Sequence, residues 1–168
     1  MSTSLYLYAG GSRVPLELDA DHVAIELAQA KSLGVDEASV PALASGTRMP
    51  AGLVLLSRSE LPAKTAAKLE KSGALRHVYR RGSALAVPLP EIRIEVDAPK
   101  ELAAVLAALA SSKVASEVLS KDAGQIVVRP KSGTGEDALE LASYVYEQAR
   151  PASSAPRMLQ VTPRPGVR

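Results

Sequence analysis

The chain has no cysteine, no tryptophan, no phenylalanine and no asparagine in its 168 residues. Without thiols it can hold neither a disulfide framework nor a thiolate metal site, and a reducing, cytoplasmic setting is the plain expectation. Aromatic residues make up only 3% of the sequence, all of them tyrosine, so the core must be built from Ala, Val, Leu and Ile. Such a core is thin in aromatic area, and its stability is expected to be modest or to depend on a partner. The net charge is only +2, with Lys and Arg scattered among the acids. No basic stripe interleaved with aromatics is present, so nucleic acid is not an expected partner. No apolar run approaches the ~20 residues of a membrane span, and Met1-Ser2-Thr3-Ser4 lacks the basic and apolar segments of a signal peptide. No membrane partner is expected.

Apolar residues reach 46% and charged residues 23%, a globular balance. The length fits one ordinary domain or two small ones. Pro88-Leu89-Pro90 offers a dividing point. Residues 1–90 are expected to form a mixed α/β subdomain, residues 91–156 a second subdomain, and residues 157–168 an extended tail.

In the first part, Leu5-Tyr6-Leu7-Tyr8 and Val14-Pro15-Leu16-Glu17-Leu18 flank Gly10-Gly11, which reads as a hairpin. Asp19 and Asp21 before the next apolar run suit a turn or a cap. His22–Leu27 alternates like a strand but leads into an Ala-rich, helix-prone stretch. Residues 36–51, with Pro41, Gly46 and Pro50, are expected to form a loop. Leu53–Leu56 reads as a buried strand, and Leu61–Ser72 as a helix stopped by Gly73. Leu75–Tyr79 and Ala84–Leu89 read as strands around a solvated Arg80-Arg81-Gly82-Ser83 turn.

The second part is patterned more sharply. Ile92, Ile94 and Val96 alternate with Glu91, Arg93 and Glu95. Asp97 can cap a helix with Pro99 in its first turn, and Leu102, Val105, Leu106 and Leu109 fall at i, i+3, i+4 and i+7. Val114–Leu119 and Gln125–Arg129 flank the turn Lys121-Asp122-Ala123-Gly124. Thr134 with Asp137 resembles a capping box ahead of a helix whose Ala138, Leu141, Ala142 and Val145 share one side. Met158–Thr162 supplies a last strand or an extended tail. Strand, helix, strand, strand, helix, strand is the order of a ferredoxin-like fold, so the expected class is α+β with a ferredoxin-like second half.

Catalytic chemistry finds no footing. His22 and His77 lie in different strands, and no G-x-S-x-G elbow, HExxH or EF-hand pattern occurs. Lys131-Ser132-Gly133-Thr134-Gly135-Glu136 opens a helix but lacks phosphate-loop spacing and reads as a plain turn. An acylphosphatase-type enzyme on this fold would need Arg and Asn in a phosphate loop, and the chain has no asparagine. No enzyme activity, cofactor or metal is expected.

Two runs carry a family resemblance: Gly124-Gln125-Ile126-Val127-Val128-Arg129-Pro130, and Ala138-Leu139-Glu140-Leu141-Ala142-Ser143-Tyr144-Val145-Tyr146-Glu147. They are similar to the end of N-terminal pro-regions in bacterial subtilisin-like proteases, where a strand precedes a helix of the form ALxLAxxLYE. The Gly10-Gly11 hairpin also resembles the start of such regions. The resemblance implies an inhibitor, and a folding or storage partner, that forms a heterodimer in trans with a subtilisin-like serine protease. It implies that Arg157, Met158, Leu159, Gln160, Val161 and Thr162 lie extended in the substrate cleft, the backbone bonding to enzyme strands. It also implies that Asp122, near the hairpin turn, faces helix N-termini of the protease. Thr162-Pro163-Arg164-Pro165 departs from the family's pattern, and two prolines there would make the tail a poor substrate. A non-inhibitory adaptor using the same sheet is the alternative function.

Overall fold

The computed structural model describes residues 5–122 and 124–161. Those residues form a mixed α+β protein with antiparallel strand pairs and five α-helices. In chain order, β1 (Leu5–Ala9) and β2 (Ser12–Glu26) lead to α1 (Leu27–Ser32), α2 (Ala42–Ser45) and β3 (Thr47–Met49). Then come β4 (Leu53–Ser57), α3 (Ala63–Ser72), β5 (Leu75–Arg81) and β6 (Ala84–Glu95). The chain continues through α4 (Pro99–Ser111), β7 (Ser116–Lys121), β8 (Gln125–Pro130), α5 (Gly135–Ala149) and β9 (Ser153–Val161).

Two compact units result, each made of two stretches of the described residues: 5–17 with 88–158, and 18–87 with 159–161. The sequence placed its boundary after residue 90 and kept the N-terminal hairpin with the first part. Contacts instead group the hairpin with the second part.

In the unit built on 88–158, the strand order is β9-β6-β8-β7. Ile92, Ile94, Ile126 and Val128 point inward from β6 and β8 and pack with Val105 and Leu109 of α4 and Ala138, Leu141, Ala142 and Val145 of α5. Both helical stripes read from the sequence are therefore the core faces of their helices. The cap of α4 differs from expectation. Asp97 does not cap with its side chain; its backbone N–H and that of Ala98 donate to the Glu101 carboxylate. At α5, Thr134 Oγ1 accepts from the Asp137 N–H at 3.2 Å, as its spacing predicts.

α5 has a second buried side. Leu139 and Ser143 are buried away from that core, and Ser143 Oγ donates to the Tyr6 carbonyl at 3.3 Å. Tyr146 stacks on Tyr8 with ring centroids 4.4 Å apart. The hairpin of β1 and the start of β2 thus lies on α5. It turns through Gly10 (φ 58°) and Gly11 (φ 82°), the left-handed pair that a two-residue hairpin loop requires.

The unit built on 18–87 has the strand order β3-β4-β2-β5. Val23, Ile25, Val54 and Leu56 form its centre with Leu43, Leu69 and Leu75. Three expectations are corrected here. Residues 36–51 hold α2 and β3, because Val40, Ala42 and Leu43 bury into the core and order the stretch. Asp19 and Asp21 lie within the single long strand β2 rather than in a turn or cap. The two strands expected at 84–89 and 91–96 are one strand, β6. Pro88 and Pro90 fit inside it because they fall between Ala84–Ala86, bridged to β5, and Ile92–Glu95, bridged to β8.

Candidate functional site

The alternation in β6 positions the surface of interest. With Ile92 and Ile94 turned to the helices, Glu91, Arg93 and Glu95 take the opposite face of the sheet. On β8, Val127 pairs with Arg93 and Gln125 with Glu95, so Gln125, Val127 and Arg129 share that face. Arg129 pairs with Glu117 of β7, and Arg157 of β9 reaches Glu91 at 3.7 Å. A row of alternating sign, Arg157, Glu91, Arg129, Glu117, therefore crosses four neighbouring strands. Arg93, Glu95, Arg129, Glu117 and Arg157 are exposed, so this face stands open. Sequence reading identified the apolar half of the β6 alternation and left its polar half unused; that half is the surface signal.

The tail residues are distributed unevenly. Arg157–Val161 belong to β9, which pairs with β6. Arg157 and Gln160 are exposed, Met158 and Val161 half-buried, and Leu159 is buried. Thr162 lies outside the described residues, as do Pro163, Arg164 and Pro165. Asp122 is exposed beyond β7, where its N–H donates to the Gln125 carbonyl at 2.9 Å.

The buried Asp19 and both histidines are engaged in structure. Asp19 is buried, and its carboxylate accepts from the Asp21 N–H at 2.8 Å, with His22 Nδ1 at 3.3 Å and Arg80 Nε at 3.2 Å. Burial pushes its pKa up, but these three partners together outweigh burial and hold it below the ordinary value. Arg80, expected in a solvated turn, is thus tied to a buried acid. His77 stands 3.3 Å from Glu70, apart from His22. A groove of about 390 Å³ beside α5 is floored by Leu139 and Ser143. At its ends Tyr6 donates to Glu147 at 3.1 Å, and Lys113 pairs with Glu140 at 3.4 Å. Among the described residues, no group of three or more His, Cys, Asp or Glu is placed to hold a metal, and no helix is long and apolar enough to cross a membrane.

No known family, no curated protein and no solved structure matches this chain.

Proposed function

We propose that residues 88–161 are a ferredoxin-like, pro-domain-like module and that the protein inhibits a subtilisin-like serine protease by binding it in trans. The observation that carries the reading is the open, charge-alternating sheet face opposite α4 and α5, with β9 running along β6 toward the C-terminal residues. The strand order β9-β6-β8-β7 supports the fold, since a split β-α-β motif places its fourth strand beside its first. The pro-region-like sequence of α5 supports the partner.

Arg157–Val161 are part of β9, which pairs with β6, so in this reading they serve as a stalk and the segment after them enters the cleft. An extended stalk ending one residue before Thr162 suits entry into a substrate channel by strand addition. Pro163 and Pro165 lack amide donors and fix φ, which opposes the register a scissile bond needs. The same contacts would shelter the protease during folding or storage; inhibition is the property that reports binding.

The test is a peptidase assay with a purified subtilisin-like protease and a chromogenic peptide, with and without the full chain. Suppression at near-equimolar inhibitor is expected. Truncation after Val161 is expected to weaken it about 10-fold or more, roughly 1.4 kcal/mol, with an unchanged circular dichroism spectrum. Truncation after Pro156 is the poorer probe, because it also removes buried Leu159 and the Arg157–Glu91 pair. A protease that binds the chain but keeps full activity would favour the adaptor reading. No binding to any subtilisin-like protease would remove the inhibitor reading.

A further inference from the structure

We infer that the chain contains one β-α-β-β-α-β motif twice, with the outer sheet face closed in the first copy and open in the second, so that a single protease molecule docks on the second copy alone. The docking clause rests on the inhibitor reading above; the repeat and its closed face do not.

The first copy is β2, α1 with α2, β3, β4, α3 and β5; the second is β6, α4, β7, β8, α5 and β9. Strand order agrees. β5-β2-β4-β3 and β9-β6-β8-β7 both read fourth, first, third, second. Register agrees as well. Ile25 pairs with Val54 and Val23 with Leu56 in the first copy; Ile94 pairs with Ile126 and Ile92 with Val128 in the second. All eight side chains are buried at the centres of their respective cores. At the edge strands, Thr47 opposite Leu55 corresponds to Ser120 opposite Val127.

The sequence repeats where the backbone does. Val23–Leu33 lies on Ile92–Leu102 without a gap, with identities at Ile25 and Ile94, Glu26 and Glu95, Lys31 and Lys100, and Leu33 and Leu102. Gly52 precedes β4 as Gly124 precedes β8. The second helix of each copy ends on a left-handed residue, Gly73 at φ 84° and Arg150 at φ 48°. A non-glycine residue in that region is uncommon, so its occurrence at the matching helix end is informative.

The copies differ on the face turned from their helices. In the first, the outward positions of β2 and β4 are Ala24, Leu53 and Leu55, which are 0%, 3% and 7% exposed. Their equivalents in the second are Arg93, Gln125 and Val127, of which Arg93 is exposed and the others half-exposed. A face already withdrawn from water cannot receive a partner without unfolding. The open face offers half-buried Val127 among Arg93, Arg129, Glu91 and Glu117, an apolar centre in a rim of both signs. A rim patterned in this way favours one complementary surface and disfavours others.

The cysteine-free sequence makes the contrast measurable. Ala24→Cys and Arg93→Cys place single thiols at equivalent positions. In the folded protein a maleimide is expected to label Arg93→Cys at the rate of a free thiol, and Ala24→Cys at least ~100-fold more slowly, since the latter needs an opening event. Equal rates overturn the closed face; Leu55→Cys repeats the comparison should Ala24→Cys lose its native circular dichroism. Addition of one equivalent of protease is then expected to slow labelling of Arg93→Cys about 10-fold or more, while Lys64→Cys on α3 of the first copy is unaffected. Protection at Lys64→Cys, or two proteases per chain by light scattering, overturns docking on the second copy alone, and so does binding without protection of Arg93→Cys. A protease that fails to bind at all overturns the docking clause together with the inhibitor reading, and the labelling contrast between the two thiols still decides the closed face.

Discussion

A carboxylate with almost no access to water is stable as an anion only if its oxygens are bonded, and Asp19 meets that condition through Asp21, His22 and Arg80. The consequence is pH-dependent stability of definite sign. The unfolded carboxyl titrates near ~3.9, and the folded one lower. Its contribution is complete above the unfolded value and is lost as pH falls through the folded value. The urea midpoint of the wild-type protein should therefore drop on acidification below about pH 4, and part of that drop should be missing in Asp19→Asn. At neutral pH that variant should lose on the order of 2 kcal/mol, the usual scale for hydrogen bonds to a charged group. An Asp19→Asn acid limb parallel to the wild-type one would assign the acid sensitivity to other carboxylates. Sequence alone offered two acids ahead of an apolar run, which fits a turn. What it could not offer was Arg80, brought to Asp19 across 61 positions.

Helices with one buried stripe are the elements most legible in a sequence, and α4 and the core side of α5 were read correctly for that reason. The second side of α5 was not. Ser143, Tyr146 and Glu147 are polar or amphipathic, and only the hairpin's position makes them interior contacts. The start of α5 carries a further constraint. A side chain on Gly135 would run into the Pro88 carbonyl oxygen, backbone that cannot swing aside. Gly135→Ala should therefore destabilise by about 1–3 kcal/mol, the range for overpacking, despite alanine's better helix propensity. A urea midpoint at or above the wild-type value would show that the helix start relaxes freely. The strand boundaries failed for the opposite reason to α5: prolines at 88 and 90 signal a break, yet β6 continues because neither lies in the ladders to β5 or β8.

At the scale of the whole molecule, the antiparallel α+β class was legible, and the repetition was present but unread. Val23–Leu33 and Ile92–Leu102 align with four identities, but the first copy's helical region is broken into α1 and α2, and its loop residues disperse the apolar period. The open face was legible only by halves. Charge alternation along β6 is visible in the sequence, whereas the row from Arg157 to Glu117 exists only once four strands are in register. Asp122 and Arg157–Val161 were singled out along the chain by resemblance, and that Arg157–Val161 belong to a strand needed the extent of β9.

The hairpin seated on α5 has one more consequence, an optical one. Tryptophan and phenylalanine are absent, and three of the five tyrosines meet at this contact. Tyr8 and Tyr146 stack, and the Tyr6 hydroxyl donates to the Glu147 carboxylate. Ring stacking and a carboxylate acceptor both quench tyrosine emission, so the tyrosine fluorescence of the native protein should be dim. Release of the hairpin should brighten it, even where the far-ultraviolet signal of the helices has not changed. The first strand of this chain thus carries its own indicator of whether it is docked, readable without a label.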